Sequence, residues 1–387
     1  MSGRVAPMRI SRRTLLRRLG GAVGVGTAAS LIDGASAAAT PRWSSGHHRH
    51  DGPIRLNMNE NAYGPSPRAA AAMRDSLGLV NRYPDSVAVL LAEIAALHGV
   101  TPEHVVLGCG STGILRMAAA TCLRPRTKLV LARPTFDLLA DYAARAGAAV
   151  ATVPLERHYA HDLDAMLAQA DASASLVYIC NPNNPTGSLT PRNDLEAFIR
   201  KLPATSRVLI DEAYHHYAGA SPAYASFVDR PVDDRRVIVT RTLSKVYGLA
   251  GLRVGYAIAA PEVARELASC RVPMEINVFA LQAGVAALTD HDHVRLSVRR
   301  NANDRQEFEN QAGARMLRVI DSHANFVMLK TGRPARVAID HLKAHSILVA
   351  PPIPGMDHYI RVSLGTPDEM LEFWRVWDLM APHSGHM

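Results

Sequence analysis

The sequence predicts an α/β fold: a mostly parallel central sheet flanked by helices, with a smaller α+β domain beside it. Three features carry this expectation. Between about residues 85 and 270, short apolar runs alternate with helical stretches, the pattern of parallel strands joined by crossover helices. Several runs, such as Leu129-Val130-Leu131 and Val208-Leu209-Ile210, are apolar without a break, as strands covered on both faces require. Residues able to do chemistry stand just after these runs, where open parallel sheets bind ligands.

Taken from the amino end, residues 1–37 stand apart. Ser11-Arg12-Arg13-Thr14-Leu15-Leu16 is a twin-arginine pattern, followed by an apolar Gly/Ala-rich stretch from Gly20 to Ile32. Ala35-Ser36-Ala37 offers small residues for cleavage. The stretch is Gly-broken and shorter than the ~20 residues a membrane span needs. The expectation is a twin-arginine signal peptide, a periplasmic or secreted location and no stable membrane association. Cleavage after Ala37 removes six arginines (4, 9, 12, 13, 17 and 18) and Asp33, leaving 37 basic and 34 acidic residues. The formal charge of +8 thus belongs largely to the leader and implies no nucleic-acid partner. Residues 38–53, with His47-His48-Arg49-His50, read as a polar linker.

The rest is long enough for two domains. A large domain is expected over 85–284 and a smaller one from 54–84 together with 285–387. Strands are expected near 105–108, 128–132, 148–153, 175–180, 207–211 and 236–241. Cys109, Cys122, Cys180 and Cys270 show no metal-ligand spacing, no metal is expected, and each reads as a small buried hydrophobe.

Five motifs follow the strands. Gly108-Cys109-Gly110-Ser111-Thr112-Gly113 joins a strand to a helix, and such a turn exposes backbone N–H groups and the positive end of a helix dipole to an anion. Its spacing matches neither the Walker loop nor the dinucleotide pattern, so alone it is weak. Phe136 follows the next run and can stack on a flat ring, though an aromatic there is more often core. Asn181-Pro182-Asn183-Asn184-Pro185-Thr186-Gly187 is a rigid loop with three side-chain amides, suited to holding a polar ligand. Asp211 ends an apolar run and opens Asp211-Glu212-Ala213-Tyr214. It can pair with a cationic ring nitrogen or simply cap the helix that follows. Lys245, one of only five lysines, lies in Thr242-Leu243-Ser244-Lys245, and Arg253 follows between Gly251 and Gly255. Taken alone such a lysine is more often solvated surface. Beside an anion site it can act as a Schiff-base nucleophile.

Together these stretches resemble the fold-type I pyridoxal-phosphate aminotransferases (class I/II), most closely the histidinol-phosphate aminotransferase branch. The resemblance runs through Asn57-Met58-Asn59-Glu60-Asn61-Ala62-Tyr63-Gly64-Pro65-Ser66-Pro67 and Arg82-Tyr83-Pro84-Asp85. It continues through the Asn181 loop, the Asp211 and Lys245 motifs, Ser322-His323-Ala324-Asn325-Phe326 and Ile360-Arg361-Val362-Ser363-Leu364-Gly365-Thr366. It implies a pyridoxal 5'-phosphate cofactor, with Lys245 joined to it and moving the substrate proton. It further implies Asp211 on the pyridine nitrogen, Tyr214 and Asn184 on the ring oxygen, and Phe136 stacked on the ring. Gly110, Ser111, Thr112, Thr242, Ser244 and Arg253 match the phosphate-holding positions. Tyr63 matches a tyrosine that reaches the phosphate from a neighbouring subunit, which implies a homodimer with shared active sites. Arg361 matches the substrate-carboxylate clamp, with Asn325 supporting it.

Departures bear on the substrate. Ala350 stands where relatives acting on histidinol phosphate usually have an arginine, which argues against a phosphorylated substrate because an unpaired buried phosphate is costly. The Gly110–Gly113 turn lacks the acidic pair common in this branch, and Ala62 replaces a proline. His215-His216 either line the substrate pocket or are structural. The expected activity is transfer of an amino group from an amino acid to a 2-oxo acid. The same scaffold also serves amino-acid decarboxylases, lyases and oxygen-dependent oxidases, and a binding protein that has kept the fold without the chemistry is the reading from another class.

Overall fold

The structure, a computed structural model, describes residues 52–229 and 234–380. The twin-arginine pattern, the apolar stretch, the cleavage residues and the linker as far as residue 51 lie outside them.

Seven strands form the main sheet: β2 (Val105–Cys109), β3 (Lys128–Arg133), β4 (Ala149–Pro154), β5 (Ala174–Cys180), β6 (Arg207–Asp211), β7 (Val237–Thr242) and β8 (Val254–Ile258), after a short β1 (Ile54–Leu56) that pairs elsewhere. Their order across the sheet is β2-β8-β7-β6-β5-β3-β4. The pairs from β7 through β4 are parallel, while β8 runs antiparallel to both β2 and β7. Each of the six expected strands forms within one residue of its expected bounds. β8 was not expected. It is short, and its Gly255 marks a close approach: a Cβ there would lie 2.2 Å from the backbone nitrogen of Ser111.

Strand periodicity explains why these runs are apolar throughout. Val177 and Ile179 of β5, with Val208 and Ile210 of β6, enter one core layer, while Leu176, Tyr178 and Leu209 enter the layer on the opposite face. Both faces are thus buried beneath helices, and the ends of the strands are the free surface left for ligands.

Beside this sheet stand two smaller ones. β9 (Arg318–Val319), β10 (Phe326–Lys330) and β12 (Tyr359–Ser363) form an antiparallel sheet in the order β12-β10-β9. β11 (Ile347–Val349) pairs in parallel with β1, placing Leu56 opposite Val349. A third core packs against them, with Phe308, Phe373, Trp374 and Trp377 beneath Val327, Leu329 and Val362. The helix Pro367–Asp378 that closes it begins with a capping box, Thr366 and Glu369 each bonding the other's backbone N–H. Among the described residues no helix is long and apolar enough to cross a membrane.

Candidate active site

A cavity of about 800 Å³ opens where β2, β5, β6 and β7 end, and the carboxyl-terminal segments beyond β11 close its other side. At one end it is built for an anion. The helix Gly110–Cys122 begins there, and its N-cap residue Cys109 supplies no side-chain cap, so the N–H groups of Ser111 and Thr112 remain available to a ligand. Gly110 has φ 68° and donates its N–H to the carbonyl of Arg253 at 2.9 Å. The Arg253 guanidinium packs against it and donates to Ser244 Oγ and Thr112 Oγ1, both at 3.4 Å. Thr242 Oγ1 donates to Ser244 Oγ at 2.9 Å. Ser111, Thr112, Thr242, Ser244 and Arg253 all line the cavity at this end. A fork-shaped cation among hydroxyls and free amides suits a phosphate.

Asp211 ends β6 and is nearly sequestered from solvent. It accepts a hydrogen bond from Tyr178 Oη at 3.0 Å and one from the Ala213 N–H at 3.1 Å. Burial nevertheless pushes its carboxyl up to about 6. Such a carboxylate gains from a cationic partner. Lys245 lies just beyond β7, and its Nζ donates to the carbonyls of Met58 at 3.2 Å and Asn59 at 3.0 Å. Burial first, and the Arg361 charge next, bring its amine down to about 8. Nζ stands 5.6 Å from the centre of the Tyr214 ring, whose own edge meets Phe326 at 5.2 Å. Burial holds the Tyr214 phenol well above its ordinary value.

β12 brings Arg361 to the same cavity. Its Nη1 donates to Asn184 Oδ1 at 2.5 Å and its Nη2 to the Asn57 carbonyl at 2.9 Å, while Nε is buried without a hydrogen-bond partner. Phe136 lines the wall. The outer wall is Ala350, Pro351, Pro352, Ile353 and Pro354 with Met58 and Leu138, and Glu60, Arg133, Asp137 and Asp141 join Asp211, Lys245, Arg253 and Arg361 as charged residues of the lining.

The structure therefore gathers eleven of the expected residues around one space: Ser111, Thr112, Phe136, Asn184, Asp211, Tyr214, Thr242, Ser244, Lys245, Arg253 and Arg361. Gly110 lies behind Arg253. Two residues fall outside. Tyr63 donates to Asp304 at 2.9 Å beneath the Arg300 guanidinium, and Asn325 donates to the carbonyls of Asn59 and Glu60. Both line a separate small polar cavity. His215 and His216 do not line the large cavity. Their rings lie 3.6 Å apart and His216 meets Tyr247 edge-on, which supports the structural reading. Cys122 and Cys180 are buried as expected, but Cys109 and Cys270 are only partly so.

Residue-level reasoning passed over Tyr178 and Asn59. The signal for Tyr178 was a phenol inside an otherwise apolar strand, whose hydroxyl needs a partner once buried. Asn59 lay within a recognised motif but had no neighbour in sequence to give it a task.

Comparison with known proteins agrees with this geometry. A family model described as aminotransferase class I and II matches residues 51–375. The chain is 38% identical over 326 residues to a histidinol-phosphate aminotransferase 2 of Carboxydothermus hydrogenoformans, covering 82% of this chain and 88% of that one. It is 37% identical over 317 residues to a histidinol-phosphate aminotransferase of Akkermansia muciniphila, covering 82% and 86%. The crystal structure of histidinol-phosphate aminotransferase from Sinorhizobium meliloti in complex with pyridoxal-5'-phosphate superposes with a TM-score of 0.79 at 29% identity, covering 84% of this chain and 91% of that one. The chain belongs to the class I and II aminotransferases, the fold-type I enzymes that use pyridoxal phosphate to move an amino group from an amino acid to a 2-oxo acid.

Proposed function

We propose that this aminotransferase acts on a free amino acid whose side chain is not phosphorylated. The observation that carries the proposal is the cavity itself, which sets Lys245, Asp211 and Arg361 around one space and closes it with the apolar wall Ala350–Pro354.

The residues fit the cofactor. Pyridoxal phosphate supplies an aldehyde that receives the amino group and a ring that takes up electrons released at the substrate α-carbon. Its phosphate would be held by the amides of Ser111 and Thr112, the Thr242 and Ser244 hydroxyls and the Arg253 fork, while the Gly110 N–H is already engaged by the Arg253 carbonyl. Asp211, with a carboxyl that burial has made hungry for a cation, would keep the ring nitrogen protonated. Phe136 would cover the ring face, and Asn184 and Tyr214 would face its oxygen. Lys245 Nζ, free of its proton above about pH 8, would take the proton from the substrate α-carbon. Arg361 would clamp the α-carboxylate, and its unpartnered Nε and its bond to Asn184 leave it oriented for that role.

The wall beyond Arg361 offers carbon at Ala350, so a bulky or aromatic side chain suits it better than a phosphate. A second reading has one observation in its favour: Arg133 is a cation in the same lining, and the relatives above are named for histidinol phosphate. A half-reaction without any oxo acid separates the two. Conversion of the bound cofactor to its amine form by free amino acids, with no response to histidinol phosphate, supports the proposal. Conversion by histidinol phosphate, lost in Arg133→Ala, overturns it.

Two wider proposals accompany this one. The enzyme is a homodimer with shared sites. Tyr63 stands away from its own chain's cavity, and Leu77, Leu79, Val80, Tyr83 and Val89 leave apolar surface exposed around the same segment. A monomeric mass by analytical ultracentrifugation would overturn this. The enzyme is also exported through the twin-arginine route of Arg12 and Arg13, which carries folded proteins and so permits cofactor loading beforehand. Retention of activity in the periplasm by a variant with both residues changed to lysine would refute it.

A further inference from the structure

We infer that Asn59 is a positioning residue that fixes the Tyr214 phenol as a hydrogen-bond donor into the cavity. The inference rests on the roles proposed above for Lys245 and Tyr214.

Asn59 is buried, with 2% of its surface exposed, and its φ of 53° is a left-handed conformation that asparagine tolerates better than most residues. Its Nδ2 donates to Tyr214 Oη at 3.0 Å. Its N–H donates to Ser363 Oγ at 2.8 Å, and Ser363 Oγ in turn donates to Asn59 Oδ1 at 3.1 Å. Its carbonyl accepts from Lys245 Nζ and from Asn325 Nδ2, both at 3.0 Å. One residue thus touches the lysine, the tyrosine and the strand that carries Arg361.

The orientation of the amide follows from this network. Ser363 Oγ accepts the Asn59 N–H and gives its own proton to the amide oxygen Oδ1, which therefore faces Ser363. The amide nitrogen must then face Tyr214. With a donor aimed at its oxygen, the phenol cannot send its proton toward Asn59, and the open direction left is the cavity that Tyr214 lines. A phenol held in that sense stabilises an oxyanion on the bound ring and makes the adjoining Lys245 nitrogen easier to deprotonate.

The test is a double-mutant cycle read by spectroscopy rather than by turnover. The readout is the pH midpoint of the visible absorbance of the cofactor joined to Lys245, in Asn59→Gly, Tyr214→Phe and the double variant. Glycine accepts the left-handed backbone, so the change removes the amide without strain. Asn59→Gly should raise the midpoint by about half a unit to one unit, the size of one neutral hydrogen bond. Tyr214→Phe should raise it at least as far, and the double variant should match Tyr214→Phe alone. An unmoved midpoint in Asn59→Gly, or two shifts that add, overturns the inference. Should Asn59→Gly melt below working temperature without cofactor, Ser363→Ala loosens the same amide without touching Tyr214. It should shift the midpoint the same way, and no shift there is equally fatal. Failure of the underlying roles looks different: Lys245→Ala would keep the absorbance, or Tyr214→Phe would leave the midpoint in place.

Discussion

Lys245 illustrates how burial makes a reagent of an ordinary side chain. Taking an ammonium out of water lowers its pKa, and the Arg361 charge lowers it further, to about 8. The rate at which the cofactor-free protein captures pyridoxal phosphate should therefore rise with pH and level off above about 8. A stopped-flow pH series checks this, and a flat profile between pH 6 and 9 would contradict it. Lys245→Ala should lose the visible absorbance of the joined cofactor altogether. For Arg361, the loss of a charge-assisted pair with the substrate carboxylate amounts to about 1.5–3 kcal/mol. Arg361→Ala should thus raise KM for carboxylate-bearing donors by roughly one to two orders of magnitude, in steady-state kinetics across several amino acids. Equal losses for donors with and without a carboxylate would remove Arg361 from the clamp.

The elements that present these residues depend on two buried arrangements behind the cavity. Glu212, directly after Asp211 at the end of β6, accepts two bonds from the Arg241 guanidinium of β7, with further donors in Ser226 Oγ and the Phe227 N–H. Both partners are buried, with side-chain exposures of 4% and 1%. Removing Glu212 leaves the buried Arg241 charge only the exposed Asp229 carboxylate at 3.4 Å and Ser226 Oγ, so Glu212→Ala should destabilise the fold by about 3–5 kcal/mol in urea unfolding. A loss below 1 kcal/mol would mean that Asp229 or water compensates the Arg241 charge. The second arrangement is the approach of β8 to the helix Gly110–Cys122. Gly255→Ala would drive a methyl into backbone at Ser111, which cannot yield as a side-chain tip can. Weaker binding of pyridoxal phosphate is expected, with a stability loss of about 1–3 kcal/mol, measured by fluorescence titration and thermal melting. At this scale the sequence was legible wherever a strand is covered on both faces, since an unbroken apolar run marks it without any knowledge of its partners. β8 escaped because Gly255, required by the approach to Ser111, interrupts the run.

The whole molecule carries a cost in acid. Burial pulls His98 down to about 3 and His161 to about 4, and holds His215 and His216 well below the ordinary value near 6.5. These histidines are neutral in the fold and take up protons more readily when unfolded. Their contribution to stability is complete above pH 6.5 and is lost as pH falls from there toward about 4 and below. The melting temperature should decline across that window, and His161→Gln should flatten part of the decline. A melting temperature independent of pH between 7 and 4 would show that these rings are solvated. The sequence by itself determined the alternation of strands and helices and placed amides, acids and a lysine at strand ends. Both are local facts, since backbone periodicity and the termination of a strand depend on residues a few positions apart. Only the tertiary structure decided which of those ends meet. Asn184 and Arg361 lie 177 positions apart, and Asn59 and Ser363 lie 304 apart. Such pairs form because the β1–β11 and β10–β12 sheets bury complementary faces against one core, a choice made by total burial that no short window of sequence contains.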